Sequence, residues 1–100
     1  KVLAMSKDET RRFMRIGGKV HGVGFRYYAL HHANTLGIKG YVRNTSDGYV
    51  EVDAQGPTSA VVEFMALMRR GPMSARVQSF CASARPLTNT YSRFEIRRTL

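Results

Sequence analysis

Between Arg11 and Val20 the chain alternates: Met14, Ile16 and Val20, with Gly18 between them, take turns with Arg15, Gly17 and Lys19. A period of two belongs to a half-buried strand and predicts a first strand starting near Arg11. At Phe25 the period changes. Phe25, Ala29, Ala33 and Leu36 fall on one helical face, and Gly37 follows as a stop. Tyr41 and Val42 lead into Asn44, and Asp47-Gly48 signals a turn. Val50, Val52 and Ala54 then alternate with Tyr49, Glu51, Asp53 and Gln55, so strands two and three make a hairpin.

Beyond Gly56-Pro57, with Thr58 or Ser59 available as N-cap, Val61, Phe64, Leu67 and Met68 describe a second helix that Gly71-Pro72 ends. Ala75 to Ala82 makes a weaker strand, since its alternation breaks between Gln78 and Cys81. Residues 83–92 read as a loop, and Phe94 and Ile96 as a short final strand. Strand, helix, strand, strand, helix, strand, with an extra edge piece, is the order of an α+β ferredoxin-like βαββαβ sandwich. In that fold an antiparallel sheet carries two helices packed on one face.

A chain of 100 residues, 43% of them hydrophobic, supports one core and leaves no room for a second domain. Residues 11–100 are expected to form that domain and residues 1–10 an N-terminal extension. Lys1 to Ala4 precede a natural-looking start at Met5 and read as a cloning remnant. That start, with an end soon after Ile96, favours a free-standing protein. No apolar run approaches the roughly 20 residues that span a bilayer, and the lone Cys81 has no partner for an internal disulfide. These features point to a cytoplasmic protein without membrane partners. Sixteen Lys and Arg against seven Asp and Glu give a formal charge of +9, which attracts anions from nucleic acid to small phosphates without choosing among them.

The stretch Gly17 to Tyr28, GGKVHGVGFRYY, narrows that choice, because it holds four of the nine glycines. Gly22 and Gly24 remove side chains that would keep a ligand from the backbone, and the loop runs directly into a helix N-terminus, whose free amides carry partial positive charge. Arg26, in the first helical turn, can offer a planar pair of donors to the same spot. A phosphoryl oxyanion fits such a cradle; a tight structural turn is the plainer reading of the glycines. The stretch is neither a Walker loop, since no Gly-Lys-Ser or Gly-Lys-Thr closes it, nor the dinucleotide fingerprint, whose glycines stand in another order.

Ile16-x-Gly18-x-Val20-His21-Gly22-Val23-x-Phe25-Arg26, followed by Gly40-Tyr41-Val42-Arg43-Asn44-x-x-x-Gly48-x-Val50 and Gly56, resembles both signatures of the acylphosphatase family in the right order. Gly71-Pro72, Ala75-x-Val77 and Phe94-x-Ile96 extend the likeness over about residues 12–98. One departure is His21, where the family usually carries Gln. The resemblance implies the sandwich fold and the hydrolysis of an acyl phosphate to a carboxylate and inorganic phosphate, with no metal and no cofactor. It implies that Arg26 holds the phosphoryl group beside the amides of His21, Gly22, Val23, Gly24 and Phe25, a site that inorganic phosphate or sulfate also suits. It implies further that Asn44 positions the attacking water, and Asn44 should lie beside the loop if strands one and two are sheet neighbours.

Other candidates read as structural. His31 and His32, adjacent on the first helix, do not face one another and with Cys81 lack metal-ligand spacing. Cys81 reads as a small buried apolar residue, Tyr27 and Tyr28 as packing or rim residues, and Arg11-Arg12, Arg69-Arg70 and Arg97-Arg98 as solvated pairs. Two rival functions remain: an RNA-binding module on the same fold, since Lys39-Gly40-Tyr41-Val42 starts like an RNP1 motif, and a catalytically inactive regulatory domain of the same family. The first lacks the aromatic continuation, and the second fits poorly with Arg26 and Asn44 both present. The expected protein is a monomeric enzyme acting on a small molecule.

Overall fold

The computed structural model describes residues 8–100, so the expected remnant at residues 1–4 lies outside the described part. The elements follow as β1 (Glu9–Lys19), α1 (Phe25–Leu36), β2 (Lys39–Asn44), β3 (Val50–Pro57), α2 (Thr58–Arg70), β4 (Arg76–Ala84) and β5 (Phe94–Ile96). They build the expected α+β sandwich, with the strands in the order β4-β1-β3-β2-β5 and both helices sharing one core with the sheet. Among the described residues no helix is long and apolar enough to cross a membrane.

The core is the apolar period made solid. Met14, Ile16, Val42 and Val52 project from the three central strands onto Ala29 and Ala33 of α1 and Phe64 and Met68 of α2, all without solvent exposure. Small residues on α1 let that helix approach the sheet closely, and Phe64 fills the gap beyond them, edge-on to Phe94 of β5 at 5.7 Å. α1 stops at Gly37, whose left-handed conformation (φ +71°) caps the last turn. α2 starts without the expected side-chain cap. Pro57 occupies the cap position, and Thr58 instead binds the start of β1, its amide donating to the Asp8 carbonyl at 3.0 Å and its hydroxyl meeting Thr10 Oγ1 at 2.6 Å.

Alternation fails in β1 at one point. A bulge between Gly17 and Gly18 shifts the register against β4, so Gly17 is buried while Gly18, expected inside, is exposed. The sheet also departs from the expected all-antiparallel arrangement, because β5 runs parallel to β2. The connection explains this. The chain leaves β4 at one edge and crosses to the other edge along the end of the sheet where β1 begins, Arg85 donating to the Arg11 carbonyl and the Gly40 amide to the Arg93 carbonyl. A strand that starts from that end must run in the direction of β2.

This strap, residues 85–93, closes over polar groups of the sheet face opposite the helices. Asp53 and Gln55 of β3 are only 1% and 4% exposed. Gln55 exchanges hydrogen bonds with the Thr88 backbone at 2.7 and 2.9 Å, while Asp53 accepts from the Tyr91 hydroxyl at 2.7 Å and from two nitrogens of Arg11. Arg11, itself half-buried, therefore pairs with the buried Asp53 and does not belong to a solvated face. Cys81 errs in the opposite sense. It was expected inside and is exposed, because β4 is an edge strand and Cys81 lies opposite Arg15 on the helix-free face.

Breaking a buried ion pair at one partner strands the other charge. Arg11→Met should therefore cost about 3–5 kcal/mol in urea unfolding, whereas exposed Arg98→Met should stay within about 0.5 kcal/mol. Equal, small effects of the two substitutions would show that Asp53 does not depend on Arg11.

Candidate active site

Five residues, 20–24, join β1 to α1. Gly22 and Gly24 take left-handed φ angles of +70° and +77°, which side chains seldom tolerate, and a Cβ at either position would meet nothing within 4 Å. The glycines secure the backbone turn, and the space beside it is open. Gly24 is the N-cap of α1, no side chain caps that helix, and its first turn contains no acidic residue. The positive end of the helix dipole thus meets no carboxylate of its own element.

Arg26 is the second residue of α1. At about 100° per residue it lies on the flank opposite Tyr28 and His32. Tyr28 faces α2, its hydroxyl donating to the Leu67 carbonyl at 2.7 Å. Arg26 therefore occupies the flank turned from α2 toward the side of β2 and β5, on which α1 packs.

Asn44 ends β2, opposite Val50 of β3, which is in turn opposite Ile16 of β1. Strands one and two are not neighbours, as the expectation for Asn44 required, because β3 lies between them. Convergence is reached by another route. On its way across to β2 the loop passes the start of β3, where His21 Nε2 stands 2.8 Å from the Tyr49 carbonyl oxygen. The same oxygen accepts from the amide of Thr45, the residue after Asn44, at 2.8 Å. Asn44 Oδ1 is buried and has no hydrogen-bond partner among the described residues.

A family profile described as Acylphosphatase matches residues 12–96. The chain belongs to the acylphosphatase family. An acylphosphatase of Pseudothermotoga lettingae is 51% identical over 67 residues, 67% of this chain and 75% of that one. One from Paraburkholderia xenovorans is 41% identical over 83 residues, 83% of this chain and 86% of that one. The structure of an acylphosphatase from Coxiella burnetii superposes with a TM-score of 0.85 at 30% identity, covering 94% of this chain and all of that one.

In this member of the acylphosphatase family the hairpin turn beside Asn44 is braced from several sides. The Tyr49 ring lies under the Arg15 guanidinium, whose carbon is 3.8 Å from the ring centroid, and over Gly17, where a Cβ would come within 2.7 Å of the ring. One glycine of the cluster thus serves Tyr49 packing and not the loop. Arg15 pairs with Asp47, which also accepts from the Thr45 hydroxyl. None of this brace was legible in the sequence, since it joins β1 to a turn some thirty residues away and carries no periodic signal.

The loop end of the sheet is electropositive. Lys19 and Arg76 stand directly opposite one another in the β1–β4 register, both exposed, an unfavourable pairing of like charges that raises the local field for anions. The remaining candidates are peripheral. His32 stacks edge-on with Tyr28 at 4.6 Å, and burial, with His31 and Arg70 nearby, lowers its pKa. Tyr27 is 71% exposed at the rim.

The Thr45 hydrogen bond and then Arg15 hold the Asp47 carboxyl below its ordinary 3.8. A depressed carboxyl pKa contributes stability above its unfolded value, which is lost as pH falls through the folded one. Asp47→Asn should therefore lower the Tm near neutral pH, and the two melting curves should converge as acid takes the pH down through the folded carboxyl's lowered pKa. A gap that persists unchanged into acid would mean that the carboxylate charge does not brace the turn.

Proposed function

We propose that this chain hydrolyses acyl phosphates, releasing a carboxylate and inorganic phosphate. Water attacks in line on a phosphoryl group held by Arg26 and by the backbone amides of His21, Gly22, Val23, Gly24 and Phe25, and Asn44 positions that water. The observation that carries the reading is the buried, unpartnered Oδ1 of Asn44, on the residue next to the one that shares the Tyr49 carbonyl with the loop. An unsatisfied buried acceptor costs about 1–3 kcal/mol, a cost usually kept where a ligand or water completes the bond. Asn44 Oδ1 accepts a hydrogen bond from the water, and its side-chain NH₂ donates one to a phosphoryl oxygen.

The chemistry asks for little more. The leaving carboxylate has a conjugate-acid pKa of roughly 4–5, near that of side-chain carboxyls, and departs without a general acid. Phosphoryl transfer rests mainly on positioning and charge stabilisation. The RNA-binding alternative finds no open stacking platform among the described residues, since Phe13, opposite Asp53 on the helix-free face, lies under Arg85, 4.0 Å from its guanidinium carbon. The central β3 turns Glu51, Asp53 and Gln55 to the helix-free face, and the Tyr41 ring beside them lies under Arg97, 4.2 Å from its guanidinium carbon. The substrate is a small molecule, phosphate and sulfate compete for its cradle, and the enzyme works as a monomer. The exposed thiol of Cys81 suits the reducing cytoplasm.

Release of phosphate from an aromatic acyl phosphate tests the reading, and absence of turnover in the folded protein would leave a binding or regulatory domain. Two variants divide the site. Arg26→Ala should weaken competitive inhibition by inorganic phosphate by roughly 10- to 150-fold, the loss of a charge-assisted contact. Asn44→Ala should lower kcat by about 100-fold while phosphate inhibition stays within about threefold. An Asn44 variant that melts early yet keeps its turnover number would make Asn44 a turn residue.

A further inference from the structure

The carbonyl oxygen of Tyr49 collects two donors, His21 Nε2 at 2.8 Å and the Thr45 amide at 2.8 Å, while the Thr45 hydroxyl beside it donates to Asp47. His21 belongs to the phosphate loop, and Thr45 is bonded to Asn44. Two hydrogen bonds through one atom therefore link the two halves of the proposed site. The bond fixes the tautomer, since Nε2 must carry a proton to donate to a carbonyl. The hairpin side is immobilised independently, its Tyr49 ring held between Arg15 and Gly17 and its turn held by Thr45 and Asp47. The loop is anchored at its ends by buried Val20 and Phe25 and at its middle by Val23 against the core, but its polar ties are weaker. Ser74 Oγ reaches the Val23 carbonyl only at 3.4 Å, and Gly22 and Gly24 carry no side chains to hold it.

We propose that His21 is a positioning residue that sets the phosphate cradle at reacting distance from the water held by Asn44. The inference rests on the function proposed above. Without the His21 link, the amides and Arg26 still receive a phosphate, because none of their groups is removed. The loop then moves relative to the hairpin, and the water loses its line on phosphorus. The signature is thus a fall in kcat with phosphate affinity kept, and the link is restored by any side chain that donates to the Tyr49 carbonyl from the same place.

Three full-length proteins decide the matter: the parent, His21→Ala and His21→Gln. Their kinetics on an aromatic acyl phosphate, their inhibition by inorganic phosphate and the amide exchange of Gly22 to Gly24 are compared. His21→Ala should lower kcat by about 10- to 100-fold, the cost of a displacement near 1 Å, with phosphate inhibition within about threefold and faster loop exchange. His21→Gln, whose Nε2 amide can donate to the same carbonyl, should recover most of the rate and the parent's exchange. A His21→Ala enzyme with the parent's kcat, or a Gln variant no better than Ala at equal Tm, overturns the proposal while leaving the hydrolase reading intact. A parent without turnover whose loop still exchanges in the expected order removes the hydrolase reading and keeps the His21 link.

Discussion

Val50 of β3 is paired on one side with Ile16 of β1 and on the other with Asn44 of β2, and the site depends on that three-strand row. With β3 lying between β1 and β2, the helical crossover that follows β1 has to pass over the start of β3 before it reaches β2. The glycine loop is the first part of that crossover. Strand order therefore carries it onto Tyr49 and against the hairpin that ends in Asn44. A sheet in which β1 and β2 were neighbours would have no Tyr49 carbonyl between them to share.

The same order separates the two ends of the molecule. At the end where β1 begins, residues 85–93 close over Asp53 and Gln55 and bury polar groups in satisfied pairs. At the other end the loop, the hairpin turn and the start of β4 meet, and one buried acceptor, Asn44 Oδ1, lacks a partner among the described residues. Polar satisfaction at one end and its deliberate failure at the other is the pattern expected when stability and function occupy different parts of a small fold. Ion pairing takes up most of the acidic residues. Four of the seven acidic residues, Asp47, Glu51, Asp53 and Glu95, are taken up in ion pairs with arginines. Lys19, Arg26 and Arg76, grouped near the loop, form no such pair among the described residues. These three cations leave part of the positive surplus beside the loop, while Arg12, Lys39 and Arg85, also without such a pair among the described residues, lie toward the other end.

Much of this could be read along the chain. The change of period at Phe25, the stop at Gly37, the turn at Asp47-Gly48 and the helix from Thr58 each appear where local chemistry put them, because periodicity and backbone permissiveness act over a few neighbouring residues. The glycine loop and the place of Arg26 in the first turn of α1 were legible for the same reason: the proposed anion cradle is a local object, made of consecutive amides and one side chain of the following turn. Three readings failed together, those of Arg11, Cys81 and Gly18, and for one kind of cause. Exposure at these positions is set by a distant strap, an edge and a bulge.

By itself the sequence determined the element order, most of the core faces and the glycine turns of the loop, since each follows from spacing within a window of some ten residues. Tertiary structure alone decided that β5 runs parallel to β2, that Asp53 and Gln55 are buried, and that His21 and Thr45 share one carbonyl. Those features join segments 24 to 54 residues apart in the chain, where no period connects one residue to the next. They exist only once strand order and register have fixed which backbone groups can meet.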